Sequence, residues 1–117
     1  MGLPPNVLSQ RCASRRYLAL VASKWSLLVI NALDDGPARN GFLMRKVEGI
    51  SQKMLTQTLR DLETTGIVKR EDHGTVPPHV TYELTPLGKS LRLEVHSLVT
   101  WVESHMPALR GADPNQS

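Results

Sequence analysis

The sequence predicts a mainly α chain with one small β-hairpin, and three features carry that expectation. Between Gly49 and Glu63 apolar residues recur at helical spacing, with Ser51 placed as an N-cap and Gly66 where a left-handed C-terminal residue is wanted. After Gly66, two short β-prone runs flank a tip that holds Pro77 and Pro78. Thr85 and Pro86 then open a long helix with more apolar surface than one small domain easily covers.

Residues 1–10 contain Pro4, Pro5 and Asn6 with little periodicity, which predicts a flexible arm that a partner subunit would order. From Cys12 to Val21 the apolar residues allow a short helix. Arg11, Arg15 and Arg16 near its start either reach phosphates of a partner or simply solvate the surface. Lys24 to Leu33 is strongly apolar, and Trp25, Leu28, Val29 and Leu33 are expected to face the core together. Asp34-Asp35-Gly36-Pro37 stops that helix. Arg39 to Val47 makes the next one, with Phe42, Leu43 and Val47 inward, and Glu48-Gly49 turns the chain toward Ser51.

The segment after Ser51 has two sides. Met54, Leu55, Thr58, Leu59 and Leu62 fall together, and Lys53, Thr56, Gln57 and Arg60 form a stripe opposite. Many polar stripes are only solvated faces. Here a short helix and tight turn precede the stripe and two strands follow it, the order of a helix-turn-helix with a wing. Gln pairs with adenine, Lys and Arg with guanine or phosphate, and Thr with a phosphate or a thymine methyl. The expected contacts to double-stranded DNA are therefore Gln52, Lys53, Thr56, Gln57 and Arg60, with Ser51 capping the helix and meeting a phosphate at its N-terminus.

Ile67 to Glu71 and Val80 to Leu84 are the predicted strands, and His73 to His79 the extended tip between them. Lys69, Arg70 and His79 either contact the minor groove or phosphate backbone or carry ordinary surface charge. From Leu87 to Met106 the set Leu87, Leu91, Val95, Leu98, Val99 and Val102 keeps helical spacing, with Leu93 and Trp101 off that stripe. Together with the amino-terminal helix this one is expected to make a two-fold homodimer interface, the alternative being that it packs on its own domain. Pro107 should end it, leaving 11–106 as one domain and 107–117 as a disordered polar tail.

Composition excludes more than it assigns. A net charge of +3 and a pI near 9.4 suit a protein with one face on phosphates without requiring it. The single Cys12 rules out an intramolecular disulfide and a multi-cysteine zinc site, and His73, His79, His96 and His105 lack the paired spacing of a metal site. Without a GxGxxG, Walker or GxSxG motif, no enzyme, cofactor or metal is expected. One Phe, two Tyr and two Trp are too few for a single-strand stacking platform. The longest apolar run, Leu18 to Ala22, is too short for a bilayer, and the amino terminus lacks a signal pattern, so no membrane association and a cytoplasmic location are expected.

With these residues assembled, the chain resembles the HxlR family of bacterial winged helix-turn-helix transcription regulators from Cys12 to about His105. The markers are Lys24-Trp25-Ser26-Leu27-Leu28, Gly36-Pro37, Gly49-Ile50-Ser51-Gln52-Lys53-Met54-Leu55-Thr56, Val76-Pro77-Pro78-His79-Val80-Thr81-Tyr82 and Leu84-Thr85-Pro86-Leu87-Gly88. The resemblance implies a winged helix-turn-helix with N- and C-terminal dimerisation helices. It implies a homodimer that sets two recognition helices in successive major grooves of a pseudo-palindromic operator. It also implies regulation of nearby genes in response to oxidants, electrophiles or aldehydes, with Cys12 at the position of the cysteine several members use as a thiol sensor.

The chain departs from the family pattern at Ala13, where a proline is usual, at Ala22-Ser23, where Gly-Gly is usual, and at Arg39-Asn40-Gly41-Phe42-Leu43, in place of Arg-Phe-x-Glu-Leu. The last change is expected to alter how that helix seats. Arg11, Arg15 and Arg16 beside Cys12 would favour its thiolate, although a lone cysteine also serves as a small buried apolar residue. Two other readings stay open. One is a regulator holding a small apolar ligand at its dimer interface near Trp25 and Trp101, and the other is a winged helix that binds protein instead of DNA.

Overall fold

The computed structural model describes residues 4–111, so the expectations for 1–3 of the arm and 112–117 of the tail fall outside the described residues. Helix α1 (Ala13–Val21) has Cys12 at its N-cap and no fully buried residue, and only its end, at Leu20, reaches the core. Ahead of it the chain turns: the Cys12 N–H donates to the Ser9 carbonyl at 3.2 Å and the Ser9 N–H to the Asn6 carbonyl at 3.0 Å. The guanidinium of Arg15 donates to the Val7 and Leu8 carbonyls at 3.0 and 3.2 Å, so this arginine ties the turn to α1.

Helix α2 (Lys24–Ala32) starts at Ser23, whose hydroxyl accepts the Ser26 N–H at 3.3 Å. Val29 and Leu33 are buried as expected, together with Ser26, Ile30 and Ala32. The other helices of the domain cover α2 from several sides, so the completely buried Ile30 sits at the centre. Leu28 is left 37% exposed and Trp25 only partly covered.

Helix α3 (Asn40–Lys46) buries Leu43 and, just past its end, Val47. Phe42 was expected inside and is 37% exposed, because two turns of helix offer one inward row and Met44 fills its flank. Helix α4 (Gln52–Thr64) follows, capped by Ser51, whose hydroxyl accepts the Met54 N–H at 3.0 Å. Leu55, Thr58, Leu59 and Leu62 are buried as expected. Met54 lies at the edge of that row, beside the fully buried Leu55, and is 39% exposed.

Gly66 adopts φ +84°, which lets its N–H donate to the Glu63 carbonyl and the Ile67 N–H to the Leu62 carbonyl, at 3.0 and 2.9 Å. Closing the helix this way uses the Ile67 N–H, and strand β1 (Val68–Asp72) accordingly begins one residue later than predicted. It pairs antiparallel with β2 (Val80–Leu84), Val68 opposite Leu84 and Asp72 opposite Val80. Ala38 adds a bridge on the free side of β2, exchanging two 2.8 Å bonds with Tyr82.

Helix α5 (Pro86–His105) opens with Pro86 in its first turn and with the Thr85 hydroxyl accepting the Gly88 N–H at 3.1 Å. A Cβ on Gly88 would lie 2.1 Å from the Ile67 carbonyl oxygen, so this close approach requires glycine. Past its end, Pro107 sits within a 3-10 turn (Met106–Ala108) that prolongs the helix instead of stopping it abruptly. Val95 is buried, and Leu91 and Val99 pack against the core one turn either side of it. Leu87, Leu93, Leu98, Trp101 and Val102 are exposed. The helix is also pinned by an Arg92 to Asp34 ion pair of 2.7 Å. The chain is a winged helix-turn-helix: α3 and α4 form the two helices, and β1 and β2 the wing. No single helix among the described residues is long and apolar enough to cross a membrane.

Candidate nucleic-acid interface

The capped start of α4, the buried row Leu55, Leu59 and Leu62, and the turn at Gly66 fix which way the helix faces. Opposite that row, Lys53, Gln57 and Arg60 are exposed and Thr56 is partly covered. Lys53 and Arg60 form no ion pair among the described residues, so their charge is open to solvent. The Gln57 amide donates to the Asp61 carboxylate at 2.9 Å.

Gln52, the first residue of α4, is held more firmly. Its Oε1 accepts from Asn40 Nδ2 at 2.7 Å, and its Nε2 donates to Asn40 Oδ1 at 2.9 Å and to the Thr56 hydroxyl at 3.0 Å. Asn40, noted in the sequence only as part of a departure from the family pattern and not among the expected contacts, is the first residue of α3. Nothing in the local pattern gives it a contact, because its partner lies across the turn of the motif.

The wing gathers its expected residues less evenly. Lys69 and Arg70 are successive in β1 and point to opposite faces. Lys69 Nζ lies 3.0 Å from the Glu83 carboxylate directly across the hairpin, and that hydrogen bond and charge raise its pKa above the usual lysine value. Arg70 is exposed without such a partner among the described residues. His79 is partly covered: its ring packs 4.4 Å from that of His73, which also meets the Thr81 hydroxyl at 2.9 Å. The guanidinium of Arg39 donates to the Pro78 carbonyl at 3.4 Å, drawing the wing tip to the head of α3.

Cys12 stands apart from this face and is half-buried. Its Sγ accepts the Asn6 N–H at 3.3 Å and lies 3.0 Å from the Ser14 hydroxyl. Those contacts, the Asn6 N–H first, hold the thiol below its usual pKa. Neighbouring arginines are not the cause, contrary to the sequence expectation, and Arg15 is turned to backbone carbonyls. Trp101 stacks on His105 at 4.4 Å, whereas Trp25 carries the Lys24 ammonium 4.3 Å over its ring. No cluster of His, Cys, Asp or Glu suited to a metal occurs among the described residues.

Known proteins place this geometry. Residues 20–110 match the model of the HxlR-like helix-turn-helix family. YtfH of Escherichia coli strain K12, an uncharacterised HTH-type transcriptional regulator, is 42% identical over 102 residues, spanning 87% of this chain and 81% of its own. The solved structure of the transcriptional regulator YtfH from Salmonella typhimurium superposes with a TM-score of 0.84 at 42% identity, covering 90% of this chain and 94% of that one. The redox regulator HypR in its oxidised form superposes with a TM-score of 0.73 at 38% identity, over 80% of this chain and 96% of its own. A capped helix with an open polar edge, a hairpin beside it, and relatives matched along most of their length lead to one conclusion: the chain is no enzyme but a transcriptional regulator that belongs to the HxlR-like helix-turn-helix family.

Proposed function

We propose that the chain acts as a homodimer on a pseudo-palindromic operator, laying α4 in the major groove of double-stranded DNA with the hairpin alongside. The observation that carries this reading is the exposure of Lys53, Gln57 and Arg60 along one edge of a helix whose other side is locked into the core. Phosphate neutralisation by Lys53, Arg60 and Arg70 supplies most of the affinity, and Gln52, Thr56 and Gln57 supply base discrimination. Ser51 caps the helix, and its end presents free N–H groups to a phosphate. Lys69 and His79, already engaged with Glu83 and His73, are secondary contacts.

Dimerisation is supported by the apolar residues left outside the core on α1 and α5, among them Tyr17, Leu18, Leu98 and Trp101. In such a dimer the half-sites lie about ten base pairs apart, or a multiple of that, so that both α4 helices reach the same side of the duplex.

Cys12 is the sensor in this proposal, supported by its lowered pKa and by the likeness to HypR, a redox regulator. As the only cysteine, it reacts in one of two ways. Two protomers lose two electrons and two protons to an oxidant such as diamide and form an intersubunit disulfide, or the thiolate adds to a quinone. The test is a footprint on DNA upstream of the chain's own gene, with and without diamide, for wild type and Cys12→Ser. Protection in half-sites that responds to diamide only in wild type is expected. The same response in both proteins removes Cys12 from the mechanism, and no protection at any salt concentration removes the DNA reading.

A further inference from the structure

We infer that Asn40 shares in base reading: its carboxamide fixes the orientation of Gln52, completes a donor and acceptor edge with it, and so narrows the base pair that the front of α4 accepts. The inference rests on the DNA reading above and adds to it a residue on the other helix of the motif.

A carboxamide has two N–H donors and one oxygen with two lone pairs. In the closed arrangement both N–H groups of Gln52 are spent, one on Asn40 Oδ1 and one on Thr56, and one lone pair of Oε1 is taken by Asn40 Nδ2. What remains on Gln52 is a single acceptor position. Gln52 alone therefore lacks the donor and acceptor fork that matches adenine in the major groove. Asn40 keeps its second Nδ2–H, and this lies beside the remaining Oε1 lone pair, the two heavy atoms being 2.7 Å apart. The two side chains together present one donor and one acceptor on a common edge.

The pairing also orders a side chain that otherwise samples many rotamers, so its immobilisation precedes binding. Without Asn40, the Gln52 amide keeps only its bond to Thr56, and by giving up that one bond it can offer donor or acceptor to several bases. A bond that merely fastened α3 to α4 would affect stability and leave base preference alone.

The experiment is selection of binding sites from a pool of randomised duplexes by the full chain, for wild type, Asn40→Ala, Gln52→Ala and the double variant. Unfolding curves are recorded for each. Asn40→Ala is expected to relax preference roughly ten-fold at one base pair of each half-site, the same one that Gln52→Ala relaxes, and the double variant to relax it no further. Should Asn40→Ala unfold early, Asn40→Ser, which retains a polar group at the head of α3, carries the same comparison. Unchanged preference in the Asn40 variant, or losses that add in the double variant, overturns the inference while the DNA reading stands. If wild type selects no common sequence, the DNA reading itself fails.

Discussion

Gln57 donates from Nε2 to Asp61 Oδ1 at 2.9 Å, one turn further along α4, so the residue at the middle of the open edge is steered by a carboxylate. Removing that carboxylate with Asp61→Ala frees the amide and deletes a negative charge beside the proposed DNA-reading edge. Binding to all duplexes is expected to tighten, with weaker discrimination among them. Gln57→Ala is expected to cost about 1–3 kcal/mol against the preferred base pair only. Fluorescence anisotropy with matched and mutated duplexes at one salt concentration distinguishes these outcomes. An equal change for every duplex would show that Gln57 reads no base.

Arg60→Ala is expected to lower the slope of log affinity against log salt by about one, the value for one lost phosphate contact. Lys69→Ala is expected to change it less, since the Lys69 ammonium is already compensated by Glu83. Titrations over a range of salt concentrations measure both, and equal slopes for Arg60→Ala and wild type would take Arg60 off the backbone.

The low pKa of Cys12 comes from donors to sulfur, the Ser14 hydroxyl among them. Because the thiolate is the form stabilised, alkylation by iodoacetamide should reach half its maximal rate at a pH below that of an ordinary cysteine. Ser14→Ala should move that midpoint upward. Coincident profiles for the two proteins would rule out the hydroxyl as a cause.

Gly88→Ala adds a methyl where the Ile67 carbonyl already stands. Helix propensity would favour alanine by about 1 kcal/mol. The backbone clash outweighs it, and a net loss of about 1–3 kcal/mol is expected from urea unfolding. A more stable variant would mean that the start of α5 lifts from Ile67 with ease.

Leu98→Glu combined with Val102→Glu changes two residues that lie outside the core, 48% and 39% exposed. The variant should keep its helical circular dichroism and run at half the wild-type mass in light scattering. An unchanged dimer mass would place the self-association surface elsewhere, and a wild type already at the monomer mass would overturn the dimer.

What was legible beforehand were features set by near neighbours in the chain. Ser51, Gly66 and the Thr85-Pro86 pair act within one turn of themselves, and each occupies the place expected of it. The exposure of Lys53, Gln57 and Arg60 followed from periodicity, because a helix with a leucine row can turn only one way. Leu28, Phe42 and Met54 were misjudged, since their burial depends on how far neighbouring helices extend over them. Asn40 with Gln52, and Arg39 with Pro78, were out of reach for a related reason. Each joins residues that only the finished fold brings together.

The Ala38 and Tyr82 bridge has a mechanical result. It stitches β2 to the segment that enters α3, and Arg39 fastens the hairpin's far end to the same place. The hairpin and the two helices of the motif are thus joined at both ends of the hairpin into one paddle-shaped unit. In the proposed dimer, a chemical signal at the amino-terminal turn would act less on the shape of each paddle than on the distance and angle between two of them.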